Sequence, residues 1–323
     1  MRAWVVSELS GIDALRLADI ADPPPPAAGE VTLAMTAVAL NYPDLLMLSG
    51  GYQYRPPLPF TPGMEGVGRI IAVGEGVAAD LLGARMLVGG RTGLLAERVT
   101  APLSALRPAP ETLSDGEAAG FTVGALTAWV GLVERGRLKA GERLLVLGAG
   151  GGMGLAAVSL GASQGARVTA IASSREKLAL AREAGAAEVV LIDRDRPDLA
   201  AFKGQFDLVF DPVGGALFEP ALAALDWKGR YLVIGFVGGS PPRVALNRLL
   251  LKGVEIIGVR AGEAGRRDPE AGRRHMAAID RLGEAGKLRP MIGMEVPLAS
   301  ADAAFRAMAD GSLAGKAVVA CDH

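Results

Sequence analysis

The run LLVLGAGGGMGLAAVSLGASQGA, Leu144 to Ala166, constrains the fold more than any other part of the chain. Leu144, Leu145, Val146 and Leu147 make the short apolar run expected of a parallel strand buried on both faces, and five glycines follow within the seven positions Gly148 to Gly154. A strand that ends in such a turn and opens into a helix lets backbone approach a phosphate, because the free N–H groups and the dipole at the helix start favour negative charge. A dinucleotide is the natural ligand. Against the pattern G-x-G-x-x-G the positions are Ala149, Gly151 and Gly154, so the first glycine is replaced. The surroundings strengthen the reading: RVTAIA (167–172) is a second strand, and a helix rich in Ala, Leu, Lys and Glu follows from about Arg175 to Ala184. The spacing of about twenty residues from the turn to the end of the second strand is that of a βαβ nucleotide-binding unit. No Walker-type Gly-Lys-Ser/Thr is present, which argues against a nucleotide triphosphatase.

At 323 residues the chain exceeds the size at which single cores stop growing, so two domains are expected. Thirty-four basic and 35 acidic residues give a net charge of −1 with no block of like charge, which disfavours nucleic acid or an anionic membrane as a partner. MRAWVVSELSG lacks a signal-peptide apolar core, and no stretch of about 18 apolar residues runs without glycines or charges, so a cytoplasmic protein is expected. The single Cys321 excludes an internal disulfide and a multi-cysteine metal lobe, and its place two residues from the end suggests a frayed terminal thiol.

The texture changes along the chain. VTLAMTAVAL (31–40), GVGRIIAVG (66–74) and ARMLVGG (84–90) are strand-like pieces between Pro- and Gly-rich turns, which suggests a β-rich domain over residues 1–119. PPPP (23–26) reads as an extended surface connection. Six strand candidates alternating with helices then span residues 120–289: LLVLG, RVTAIA, EVVLI (188–192), FDLVF (206–210), GRYLVIG (229–235) and GVEIIGV (253–259), the number in a complete doubly wound parallel sheet. Residues 290–323 resume short strand patterns such as AVVA and are expected to rejoin the first domain. RRDPEAGRRHMAAIDRL (266–282) interleaves arginines with acids and reads as a solvated helix face.

Further motifs occur in order: NYPDLLMLSGGY from Asn41, PFTPGMEGVGRIIAVGEGV from Pro59, TAWVGLVERGRLKAGERLLVLGAGGGMG from Thr127, FDLVFDPVGG from Phe206, GRYLVIGFVGG from Gly229 and GKAVV from Gly315. Together, over nearly the whole length, they resemble the zinc-free medium-chain dehydrogenase/reductases of the NADPH-dependent quinone oxidoreductase branch. The resemblance implies an α/β architecture, a doubly wound parallel (Rossmann) sheet domain plus a β-rich GroES-like barrel domain. The chain is short around Asp80 to Val88 and Ala200 to Gln205, where similar proteins carry longer loops.

Zinc-dependent relatives hold a catalytic zinc through Cys and His, and the matching positions here are Asn41, Met64 and Val123. Amide, thioether and alkyl groups do not replace thiolate and imidazole, and the two histidines, His275 and His323, lie far along the chain, so no metal is expected. Without a Lewis acid, hydride goes more readily to a quinone or an α,β-unsaturated carbonyl, which delocalises the charge, than from a simple alcohol. The resemblance places Asn41 and Tyr52 at the nicotinamide end of a cleft between the domains. Tyr52 matches a tyrosine that similar 2-enoyl thioester reductases use as a hydrogen-bond donor or proton source; the alternative is a surface aromatic in a loop. Asn41 is either an amide donor to cofactor or carbonyl or a turn cap, and Asp44 and Glu65 read as structural.

At the end of the second strand, where NAD enzymes place an acid, stands Ala172, followed by Ser173, Ser174, Arg175 and Lys177. Two hydroxyls and two cations suit a 2′-phosphate, so NADPH is the expected cofactor; alternatively a serine caps the next helix while the cations are solvated, or one serine does both. Gly151, Gly152, Met153 and Gly154 are expected to present backbone to the pyrophosphate, and the resemblance adds Thr127, Gly235, Phe236 and Val237 nearer the nicotinamide. Asp211 in FDPVGG either approaches the cofactor or forms its turn. The expected activity is metal-independent hydride transfer from NADPH to a quinone or other conjugated carbonyl, in a homodimer paired through GVEIIGV. The alternatives are an NADPH-dependent 2-enoyl thioester reductase and, of another class, an NADPH-binding sensor or structural protein.

Overall fold

The computed structural model describes residues 1–194 and 196–321. The chain divides into two compact units, Met1–Thr122 with the segment from Ile292 onward, and Val123–Met291.

The second unit is built on six parallel strands, β1 (Arg143–Val146), β2 (Arg167–Ala172), β3 (Glu188–Leu191), β4 (Phe206–Asp211), β5 (Leu225–Val233) and β6 (Glu255–Gly258). Their order across the sheet is β3-β2-β1-β4-β5-β6, the doubly wound order, in which the chain reverses direction of growth between β1 and β4. β1, β2 and β4 are buried almost throughout, which is why they read as mainly apolar runs rather than alternating ones. Helix α1 (Gly152–Ser163) lies tight against them: a methyl at Gly161 would stand 2.6 Å from Leu144 Cδ2 and 3.2 Å from Val168 Cγ2. Helix α2 (Arg175–Glu183) follows β2. The core on one side of the sheet joins Leu145, Leu147, Ile171, Val209 and Phe218 with Tyr231, whose ring centroid is 5.1 Å from that of Phe218.

β5 begins four residues before the expected GRYLVIG. Its pairing with β4 slips between Leu225 and Arg230, and Lys228 adopts a left-handed conformation with φ 60° inside the slip. Lysine carries no local signal for that backbone. Arg266 and Arg267 of the arginine-rich stretch end a short helix, Ala261–Arg267, and the rest forms the helix Pro269–Glu284, opened by Pro269 and capped by Asp268, whose carboxylate accepts from Ala271 N–H.

The first unit carries a seven-stranded sheet ordered 292–297, 316–320, 30–39, 65–73, 85–89 and 106–108, with 98–102 also paired to 30–39, and a separate two-stranded ribbon, 2–6 with 15–19. All its pairs are antiparallel except 292–297 with 316–320. The long strand 30–39 is central, and Leu33, Met35 and Val38 from it pack with Ile70, Leu48 and Phe305. Strand 316–320 pairs Val319 with Val38, and this corrects the expectation for Cys321: its N–H donates to Thr36 O at 3.0 Å and the thiol is buried in the core instead of fraying. Among the described residues no helix is long and apolar enough to cross a membrane.

Candidate functional site

The glycine turn connects β1 to α1 beside the point where sheet growth reverses. Gly148 is left-handed at φ 60°, and a methyl there would stand 2.7 Å from Val213 Cγ2. Gly150 and Gly154 are glycines for a different reason. A methyl at Gly150 would overlap the Lys177 stem, 2.2 Å from its Cβ, and one at Gly154 would lie 2.3 Å from Gly148 O. Gly151 differs from both: the nearest atom to its hypothetical methyl is Gly148 O at 3.8 Å, an ordinary contact. It is the N-cap of α1 with extended backbone, and the N–H groups of the first turn, Gly152 and Met153 included, have no acceptor within the helix. The open space at Gly151 and the unpaired donors beyond it make a cradle that fits a pyrophosphate.

At the end of β2, Ser174 caps α2 by accepting from Lys177 N–H at 3.3 Å. The capping reading therefore holds for Ser174. Ser173 is half-buried beside it and Arg175 is exposed. Lys177 is not a solvated cation: it is 9 % exposed and its stem lies against Gly150, which brings α2 to the turn. That contact has no signature in the sequence, because Gly150 belongs to the turn after β1 and Lys177 to the helix after β2.

Asp211 ends β4, and its structural role is explicit. One carboxylate oxygen accepts from Val213 N–H at 2.7 Å and Gly214 N–H at 2.8 Å, and the other from the Tyr231 hydroxyl at 2.6 Å. Burial raises its pKa, and burial next to Asp211 pushes the Tyr231 phenol far up as well. The turn so formed is bonded to the one after β5, Val237 N–H to Pro212 O at 3.2 Å and Gly238 N–H to Val213 O at 2.8 Å. The structure thus brings Gly235, Phe236 and Val237 to the same sheet end as Gly148, with the Phe236 and Val237 side chains exposed. Thr127 is half-buried on the helix Phe121–Ala128, one turn after Gly124, where a methyl would stand 3.3 Å from Ala156 Cβ and 3.6 Å from Gly152 O. This close approach sets Thr127 on the helix that backs the glycine turn.

In the first unit a buried polar cluster gathers around Asn41. Asn41 follows the central strand and caps the helix Tyr42–Leu48; Glu65 and Lys316 open the two strands that flank that strand, and both Glu65 and Val318 are paired with Ala39. Lys316 Nζ donates to Asn41 Oδ1 at 2.7 Å and to Glu65 Oε1 at 2.6 Å, and Asn41 Nδ2 donates to Glu65 Oε1 at 3.0 Å. Asp44 accepts from the backbone N–H of Asn41 at 2.9 Å and of Gly63 at 3.0 Å, and its burial pushes its pKa up to about 7. Asn41 is therefore both a cap and a member of an ion cluster, with its amide oxygen committed inside the protein. The residue missed from sequence is Lys316, whose one signal is a cation heading the otherwise apolar strand KAVVA. Tyr52 is half-buried against the core of this unit, and neighbouring Tyr54 carries the Arg91 guanidinium 4.8 Å over its ring.

The residues do not fit a zinc ion. Asn41, Met64 and Val123 offer amide, thioether and alkyl groups, and among the described residues no three His, Cys, Asp or Glu come together to hold a metal. His275 packs in the second unit, 3.5 Å from Glu134; His323 lies outside the described residues.

Two family models match the chain, the alcohol dehydrogenase GroES-like domain over residues 27–111 and the zinc-binding dehydrogenase over residues 152–277. A quinone oxidoreductase-like protein 2 homolog of Nematostella vectensis is 32 % identical over 298 residues, 90 % of this chain and 81 % of that protein. Among solved structures, the quinone oxidoreductase from Thermus thermophilus, determined alone and with NADPH, superposes with a TM-score of 0.84 at 37 % identity over 99 % of this chain and 100 % of that one. An NAD-dependent alcohol dehydrogenase does so at 0.88 and 30 % identity over 99 % of each chain. With a GroES-like unit, a doubly wound dinucleotide-binding unit and these relatives, the chain belongs to the medium-chain dehydrogenase/reductase family of oxidoreductases.

Proposed function

We propose that this oxidoreductase transfers hydride from NADPH to a quinone or another conjugated carbonyl without a metal. The observation that carries the reading is the end of β2, where Ala172 stands in place of an acid and Ser173, Ser174, Arg175 and Lys177 follow. An acid there would bind the ribose hydroxyls of NAD and repel a 2′-phosphate, whereas this set supplies hydroxyl donors and two cations. Lys177 is held against the glycine turn by its own stem, so its ammonium loses less freedom on meeting a phosphate than a solvated lysine would.

NADPH, when bound, supplies the hydride. Gly151, Gly152, Met153 and Gly154 would hold its pyrophosphate, with Thr127 and the turn Gly235, Phe236, Val237 toward its nicotinamide. We assign Tyr52 as hydrogen-bond donor to the acceptor oxygen on which negative charge develops, and Asn41 as a donor at the same end. A conjugated acceptor suits a donor set that does not fit zinc, because it delocalises the charge that a metal would otherwise stabilise. The one cysteine, Cys321, is buried and forms no disulfide, which suits a reducing compartment, and we place the protein in the cytoplasm.

A homodimer is part of the reading. β6 is an edge strand, and the helix Leu246–Lys252 that precedes it exposes Leu246, Leu250 and Leu251 at 76, 79 and 72 %, more apolar surface than a short helix on a monomer usually leaves in water. Nicotinamide oxidation measured against a benzoquinone, phenanthrenequinone, crotonyl-CoA and a simple enone, with NADH and a chelator as controls, tests the proposal. Chelator-resistant turnover that prefers NADPH and quinones is expected. Preference for crotonyl-CoA would make the protein an enoyl thioester reductase, and NADPH binding without turnover would make it a sensor.

A further inference from the structure

Glu65 and Lys316 form an ion pair whose side chains are 1 % and 8 % exposed. Such a pair is a poor route to stability, since its desolvation offsets most of the attraction and apolar residues of similar volume commonly do as well. The fold nevertheless makes room for it. A methyl at Gly120 would stand 3.1 Å from Lys316 Cγ and 3.4 Å from its Cε, so a glycine lets the lysine stem pass. What the pair does is visible at Asn41. An ammonium has donors only, so the atom of Asn41 that faces it at 2.7 Å must be Oδ1, and Nδ2 is turned by the same constraint toward Glu65. One Nδ2 hydrogen is used at 3.0 Å, while the contact to Ala39 O is 3.5 Å, at the limit of a hydrogen bond. An amide N–H is thus left weakly held.

We propose that Lys316 is a positioning residue for hydride transfer: its ammonium locks the orientation of the Asn41 amide so that an N–H, never the carbonyl oxygen, is the group offered to the bound cofactor or acceptor. This rests on the function proposed above for Asn41. The Glu65 carboxylate, an acceptor only, holds Nδ2 from the other side; with both charges gone the two amide orientations become close in energy, and the flipped one presents an acceptor to an oxygen that is gaining negative charge.

The test uses Lys316→Met and the double variant Lys316→Met/Glu65→Gln. The single change leaves a carboxylate buried without its cation and will lower the melting temperature. The double change removes both charges and leaves at position 65 an amide that can pair with either orientation of the Asn41 amide, so it recovers most of that loss. A purely structural role predicts that turnover recovers with it. The positioning role predicts instead that the double variant keeps wild-type NADPH affinity and acceptor KM while kcat stays about tenfold low, since the lost interaction acts in the transition state. A double variant with wild-type kcat overturns the inference. A second readout does not need activity. The chain has two asparagines, Asn41 buried and Asn247 exposed, so 15N-asparagine labelling gives two side-chain amides that are easily told apart. The Asn41 amide is expected to be exchange-protected in the wild type and to lose that protection in the double variant. Unchanged protection overturns the inference even if the wild type proves inactive on every conjugated acceptor, an outcome that would overturn the proposed function by itself.

Discussion

Replacing Gly151 and Gly154 separately with alanine distinguishes a glycine that binds ligand from one that packs. At Gly154 the three atoms nearest the new methyl are all backbone, Gly148 O at 2.3 Å, Ala149 Cα at 2.7 Å and Gly148 C at 2.8 Å, so no rotamer change relieves the overlap and the turn itself must move. Overpacking costs typically 1–3 kcal/mol, and a rigid backbone obstruction puts Gly154→Ala at about 3 kcal/mol, a drop in melting temperature of roughly 6–12 °C for a domain of this size. At Gly151 the methyl meets only Gly148 O at 3.8 Å, and φ −95° with ψ 164° is open to any residue. Gly151→Ala therefore loses only N-cap preference, below about 1 kcal/mol. In the proposed binding mode its methyl occupies the space of the pyrophosphate, so NADPH affinity is expected to fall about tenfold or more, ~1.4 kcal/mol, with the fold intact. Differential scanning fluorimetry gives the first quantity and NADPH fluorescence titration the second. Wild-type affinity in Gly151→Ala would refute the assignment of this turn to the pyrophosphate. A melting temperature near wild type in Gly154→Ala would refute the packing argument.

Lys177→Met keeps a stem of similar length against Gly150 and removes the charge; NADPH affinity should fall about 10–100-fold with NADH affinity unchanged, read by titration with both. Asp44 has its pKa raised by burial to about 7, so between pH 4 and 7 the unfolded state ionises before the folded one and stability falls as pH rises, levelling above pH 7. Chemical denaturation across that range should show the fall in the wild type and a flatter profile in Asp44→Asn. Leu246→Glu/Leu250→Glu should convert a dimer of twice 33.2 kDa to a monomer in light scattering while NADPH still binds; a wild-type protein that is already monomeric would remove the dimer from the reading.

Much of the fold was legible from the chain alone, and the reason is burial. β2 runs Arg167–Ala172, the stretch read as RVTAIA, because a strand covered on both faces is apolar along most of its length; Arg167 stands exposed at its start and the hydroxyl of buried Thr169 donates to Glu188. The start of α2 was legible as a serine ahead of a polar, helix-forming run, and Ser174 does cap it. β5 was not, because its early start depends on a slipped register and a left-handed lysine that only the neighbouring strand imposes. The burial of Cys321 has no local signal, because distance from the chain end is a poor guide once strand 316–320 is paired inside a sheet.

The sequence by itself determined most of the segments that become strands, turns and helices, and it marked the glycine turn after β1 and the cations beyond β2, since periodicity, glycine density and local residue chemistry act within a few neighbours. Only the tertiary structure decided which glycines pack and which lies open, that Lys177 is held over Gly150, that Asp211 shapes a turn, and that Lys316 reaches Asn41 and Glu65 from as far as 275 residues away along the chain. Those pairings follow from sheet register and helix approach, which bring side chains together through space and leave no periodic trace in the residues between them.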